Sequence, residues 1–200
     1  MSKHALTTAD ILSMDVYERE RAERKRAIQP MKRLRRVEVG PCAAFYFENY
    51  DTMWLQVHEM LFIERGGNEQ LADELAAYNP LIPKGNELVA TLMFEIENAT
   101  KRHELLAKLG GVEETVSFTV NGLSVRAVPE DDVDRTTADG KASSVQFLHF
   151  VFDKEQIAAF CQPGQSIILT ISHPAYAHSA VIPEATRTEL ARDFDLNLLA

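Results

Sequence analysis

Several things that would assign this chain to a specialised class are scarce in it. Its 200 residues hold two cysteines, Cys42 and Cys161, far apart and outside any CxxC pattern. That excludes a disulfide scaffold, and the expectation is reduced thiols in a cytoplasmic protein. No apolar run approaches the roughly 18 residues of a membrane-spanning helix, and Met1 to Leu12 lacks the basic and then apolar layout of a signal peptide. Positive charge is scarce outside one segment. Nine Lys/Arg stand against four Asp/Glu from Asp15 to Arg36, but eleven stand against twenty-five from Val37 to Ala200. With a net charge of -9, the body has no general attraction for nucleic acid or anionic lipid.

Catalytic signatures are missing as well. His58-Glu59 starts a zinc-protease helix motif, but Phe62 stands where the second histidine is needed. The same Phe62 breaks the Glu-x-x-His spacing of a di-iron carboxylate helix. There is no GxGxxG and no Walker loop, and Gly164-Gln165-Ser166-Ile167-Ile168 lacks the last glycine of a nucleophile elbow. His173 and His178 flank Pro174-Ala175-Tyr176. On extended chain a spacing of five sends them to opposite faces, so they share a metal only if the turn folds back, and otherwise read as turn and surface histidines. His149 reads as a hydrogen-bonded sheet residue, and the two cysteines as small buried hydrophobes.

What is present is a globular pattern. Apolar residues make up 46% of the chain, ample for the core of one large domain. Ser13 can cap a helix ending near Pro30, whose Glu20 and Arg24 are spaced to pair with each other; its basic residues could instead form a docking arm for an acidic partner. Arg35 to Val39 and Ala43 to Glu48 alternate, as two strands or one broken strand. Asn49 caps the next helix, whose Met53, Trp54, Leu55, Val57, Met60, Leu61, Phe62 and Ile63 leave apolar groups on nearly every side, the mark of a buried helix. Gly66-Gly67 ends it, Asn68 can cap a second helix, and Pro80 stops that one.

Leu88 to Ile96 reads as a strand and Ala99 to Leu109 as a helix capped by Asn98. Asn121-Gly122 between two alternating segments predicts a type I′ hairpin. Pro129 to Ala142 is acidic and turn-rich, a mobile loop. Ser143 to Phe152 alternates, with Val145, Phe147 and His149 on one face and Gln146, Leu148 and Phe150 on the other. Asp153 with Gln156 forms a capping box. Ile167 to Ser172 and Ala177 to Ile182 are further strands before a last helix at Pro183. Together these predict an α+β fold, a mostly antiparallel sheet of about seven strands with helices packed on it. Residues 1–34 form an N-terminal helical arm and 35–200 a single domain.

One polar stripe interrupts the apolar helix: Thr52, Gln56 and Glu59 share a face, with His58 beside them. It is either the solvated side of a core helix or the lining of an internal pocket that Glu48 and Glu95 join. A carboxylate kept inside must be paired or carry a shifted pKa.

The chain also resembles a bacterial family of uncharacterised proteins, domain of unknown function 3501. The likeness rests on Leu6-Thr7 to Leu12, Phe47-Glu48-Asn49-Tyr50-Asp51-Thr52, Gln56 with Glu59-Met60, Tyr78-Asn79-Pro80-Leu81-Ile82-Pro83, Ala90-Thr91-Leu92-Met93, Val145-Gln146-Phe147-Leu148 and His173-Pro174-Ala175-Tyr176. It implies a setting beside rubrerythrin-like and iron-sulfur proteins, hence a redox or oxidative-stress context, and it supplies no reaction. The ligand-binding candidates are then Glu48, Asn49, Thr52, Gln56, Glu59, Glu95, His173 and Tyr176. The expectation is a non-enzymatic cytoplasmic accessory or binding protein, with self-association left open. The alternative is a metal-binding protein or enzyme using a carboxylate and histidine site, with a divalent metal held by Glu48, Glu59 and His173.

Overall fold

Alternation along the strands decides which side of each is dry, and the sheet follows from it. The computed structural model describes residues 3–130, 140–195 and 197. In chain order it contains α1 (Met14–Leu34), β1 (Arg36–Val39), β2 (Ala43–Glu48), α2 (Tyr50–Glu64), α3 (Gly67–Tyr78), β3 (Glu87–Phe94) and α4 (Ala99–Leu106). There follow β4 (Val116–Val120), β5 (Leu123–Pro129), β6 (Val145–Val151), α5 (Lys154–Cys161), β7 (Ile167–His173), β8 (Tyr176–Val181) and α6 (Glu184–Leu190). The strands form one antiparallel sheet in the order β1-β2-β3-β6-β5-β4-β7-β8. The fold is α+β as expected, with eight strands instead of about seven, residues 36–39 and 43–48 being separate strands on either side of a turn.

The sheet curls until its two ends meet, and a tyrosine fastens them. The Tyr176 hydroxyl at the start of β8 donates to the Val39 carbonyl at 2.8 Å and accepts from the Cys42 and Ala43 amides at 3.0 Å. Gly40 lies under that clasp at φ 73°, where a Cβ would come within 2.6 Å of the His178 ring and 2.7 Å of the Tyr176 hydroxyl. Only glycine fits both the backbone and the space.

Inside the curl, Phe45, Phe47, Leu88, Leu92, Leu148 and Phe150 are buried to 1% exposure or less. Phe118 is central to an aromatic cluster, with ring centroids 4.8 Å from Phe150 and 5.8 Å from Phe47. Phe160 of α5 and Phe194 beyond α6 extend it. Full burial of each such ring stabilises by about 1.5–3 kcal/mol. The barrel interior is therefore a packed core.

Asn49 caps α2 as expected: its Oδ1 accepts from the Thr52 amide at 3.0 Å, and the Thr52 hydroxyl accepts from the Asn49 amide at 2.9 Å. Asn121 and Gly122 both have positive φ, the type I′ geometry their sequence predicts. Other boundaries differ. α1 runs through Pro30 to Leu34, because its last turn is held from outside: the Arg35 guanidinium donates to the Phe47 and Glu48 carbonyls, both at 2.9 Å. α2 ends on Arg65 in the left-handed region, and α3 begins at Gly67 with the Gln70 side-chain Oε1 accepting from the Gly66 amide, ahead of the expected Asn68 cap. α4 stops at Leu106. Most of the expected loop from Pro129 to Ala142 lies outside the described residues. Among the described residues no helix is long and apolar enough to cross a membrane.

Candidate functional site

The other face of β2, β3 and β6 carries Tyr46, Glu48, Thr91, Met93, Val145 and Phe147, brought side by side by the register that pairs Tyr46 with Thr91 and Thr91 with Phe147. α2, α3 and the turn at Asn79–Leu81 cover this face, and Met53, Val57, Leu61, Leu81 and Val89 pack a second, smaller core there. The helices bridge the sheet without lying flush on it. Between them is a cavity of about 370 Å³.

Its walls are mainly apolar, from Met53, Leu81, Met93, Val145 and Phe147, with Glu48, Thr52, Gln56 and Tyr78 as polar groups. The Glu48 carboxylate accepts from the Thr91 hydroxyl at 2.8 Å. Gln56 donates from its amide nitrogen to the Tyr78 hydroxyl at 3.3 Å. Thr52 spends its hydroxyl on the helix cap. Lys32 and Arg35 border the same space from α1 and the residue after it. Arg35 is buried, pairs with Asp193 and lies 3.5 Å from Glu189. Burial pushes the Asp193 carboxyl up to about 6, with Arg35 opposing the shift.

The polar stripe on α2 is thus divided. Thr52 and Gln56 face the cavity. Glu59 lies seven residues beyond Thr52, about 10 Å along the axis, and α1 covers it there. Arg21 donates to both its oxygens at 2.7 Å, Lys25 reaches it at 2.8 Å and the Tyr17 hydroxyl at 2.7 Å. The Arg21 hydrogen bond, with Lys25 and Tyr17, outweighs partial burial and holds the Glu59 carboxyl down at about 2. The basic arm therefore docks on the chain's own glutamate. Its Arg24 pairs with Glu20 as the spacing predicts and lies over the Trp54 ring.

The remaining candidates sit elsewhere. Asn49 is the α2 cap. Glu95 is an exposed partner of Arg36 and Tyr46, whose hydroxyl hydrogen bond is the main cause of its lowered pKa. His173 accepts from the Ala175 amide in the β7–β8 turn, and Tyr176 is the barrel clasp. The structure does not bring Glu48, Glu59 and His173 together: one lines the cavity, one is tied to α1, and one is in the turn between the last strands. Among the described residues no three His, Cys, Asp or Glu side chains gather to hold a metal ion.

Two histidines fasten segments outside the cavity, His149 as the hydrogen-bonded sheet residue expected. His58 is fully buried, stacked on Trp54 at 3.7 Å and beside Tyr17 at 4.8 Å. Its Nδ1 lies 2.7 Å from the Trp54 carbonyl, and Nε2 accepts from the Leu12 amide at 3.0 Å. Burial lowers its pKa, so it is a neutral fastener for the N-terminal segment. His149 is held between Glu87 at 3.0 Å and Glu130 at 2.7 Å. Burial opposes its charge, but the two carboxylates prevail and raise its pKa. The strand alternation placed His149 beside Phe147; the flanking carboxylates come from distant segments.

The fold and site define a nearly closed antiparallel barrel with one helix-roofed cavity on its outer face. Residues 5–194 match the family described as Protein of unknown function (DUF3501), and the chain belongs to it. It is similar over 96% of its length to all of a crystallised chain from Burkholderia pseudomallei K96243, a novel protein of unknown function, at 33% identity and a TM-score of 0.88. No curated protein matches.

Proposed function

We propose that this chain is a cytoplasmic binding protein, not an enzyme, whose ligand is a small, largely apolar organic molecule held between the β2-β3-β6 face and the α2–α3 hairpin. The observation that carries this reading is the cavity of about 370 Å³, with apolar walls and a few fixed polar groups. Ligand sites in general have that make-up. The imidazoles of His58 and His149 are both engaged away from the cavity, so neither shares the site with Glu48. The redox setting implied by family resemblance makes an accessory role beside rubrerythrin-like or iron-sulfur proteins part of the same proposal.

Methionine-methyl NMR tests it. Met53 and Met93 line the cavity, while Met14 lines a separate groove between the N-terminal segment and α2–α3. A library of small organic molecules should yield compounds that shift Met53 and Met93 together and leave Met14 in place. Shifts confined to Met14, or no shifts at all, would remove the assignment.

A further inference from the structure

We infer that the cavity selects organic ammonium ions: a protonated amine on a compact apolar body. This rests on the cavity being the ligand site and adds the charge of the ligand. Glu48 provides the reason. One of its oxygens is held by Thr91, yet no Lys, Arg or His among the described residues lies within ion-pair distance of it. A half-buried carboxylate beside apolar walls attracts a cation more strongly than one in open water does.

The cations that border the cavity do not meet that need. Arg35 gives its Nε and Nη2 to two main-chain carbonyls and Asp193, and its buried Nη1 lies 3.5 Å from Glu189 without a hydrogen bond. Lys32 stands at the exposed rim with no ion pair to Glu48. The surrounding groups suit an ammonium with an apolar tail. Tyr78 and Phe147 line the cavity with aromatic rings, a residue type that attracts positive charge, and the Met53 and Met93 thioethers adapt to an irregular body. An anionic ligand would face Glu48 at short range and be repelled.

The test is calorimetric titration of the whole chain with three probes of similar size: 2-phenylethylamine, 2-phenylethanol and 3-phenylpropionate. The amine should bind at least about tenfold more tightly than either of the others. Glu48→Gln, which keeps an acceptor for Thr91, should bring the three within about twofold of each other. Lys32→Ala should tighten amine binding, because it removes a competing cation from the rim. The wild-type series needs no variant to fold, and Thr91→Val, which frees the carboxylate it orients, should weaken the amine preference if Glu48→Gln is unstable. Equal binding of all three probes would overturn the ammonium preference and leave the cavity as a ligand site. Tighter binding of the propionate, lost in Lys32→Ala, would overturn it in favour of an anion. No binding of any probe would also overturn it, and the methionine shifts with the wider library would then decide the cavity separately.

Discussion

The two faces of the same three strands have opposite characters. On β2, Phe45 and Phe47 point into the barrel and are sealed, while Tyr46 and Glu48 between them point to the helix layer and stay partly accessible. β3 and β6 repeat the contrast, Leu92 and Leu148 inside against Met93 and Phe147 outside. A closed sheet fills its own interior with side chains. Rigid helices laid across a twisted sheet touch it unevenly, which leaves room for a cavity. Stability therefore resides mainly inside the barrel, and the proposed binding cavity lies on its outer face.

Substitutions on each side should separate the two roles. Phe118→Ala, at the centre of the interior cluster, should cost about 4 kcal/mol in denaturant unfolding; a loss under about 1 kcal/mol would mean that the interior is not the main source of stability. Arg35→Met, at the seam between the faces, should cost about 3 kcal/mol, because it strands the buried Asp193 without its partner and leaves Glu189 with Arg192 alone. Glu59→Gln should cost about 1–2 kcal/mol, a figure kept low because Arg21 and Lys25 are a third or more exposed.

That glutamate also sets a pH dependence. The folded state holds Glu59 at about 2, below its ordinary 4.5, so its contribution is complete above about 4.5 and is lost as pH falls toward about 2. Acid unfolding of Glu59→Gln should lack that share of the slope. His149 works in the opposite direction. Its raised pKa gives stability that is complete below the ordinary 6.5 and lost as pH rises through the folded value. His149→Gln should flatten the stability profile across neutral pH by about 1 kcal/mol or less. Smallest of all, Glu48→Gln should change stability by under about 0.5 kcal/mol, although it abolishes the preference among charged probes.

Much of this was legible in the residues. The Asn49 cap, the Asn121-Gly122 hairpin and the two-faced alternation of β6 are local signals, and the structure places all three as read. Barrel closure was not legible, because it depends on Tyr176 meeting Val39 and Cys42 from the far end of the chain. Half of the site was visible in Glu48, Thr52 and Gln56. Thr91, Met93 and Tyr78 were missed as lining, although they lie in segments that carry the family resemblance. Glu59 stands with Thr52 and Gln56 as a candidate for the cavity because helical periodicity reports angle about the axis and not distance along it. A surface arm with one buried residue, Tyr17, gave no sign that its arginine and lysine would claim that carboxylate.

A crystal structure of the chain grown with 2-phenylethylamine tests the central claim most directly. The account predicts the ring between Met53, Met93 and Phe147, with the ammonium nitrogen about 3 Å from a Glu48 oxygen. Amine bound in the groove beside Met14, or bound in the cavity with its nitrogen turned away from Glu48, would contradict it.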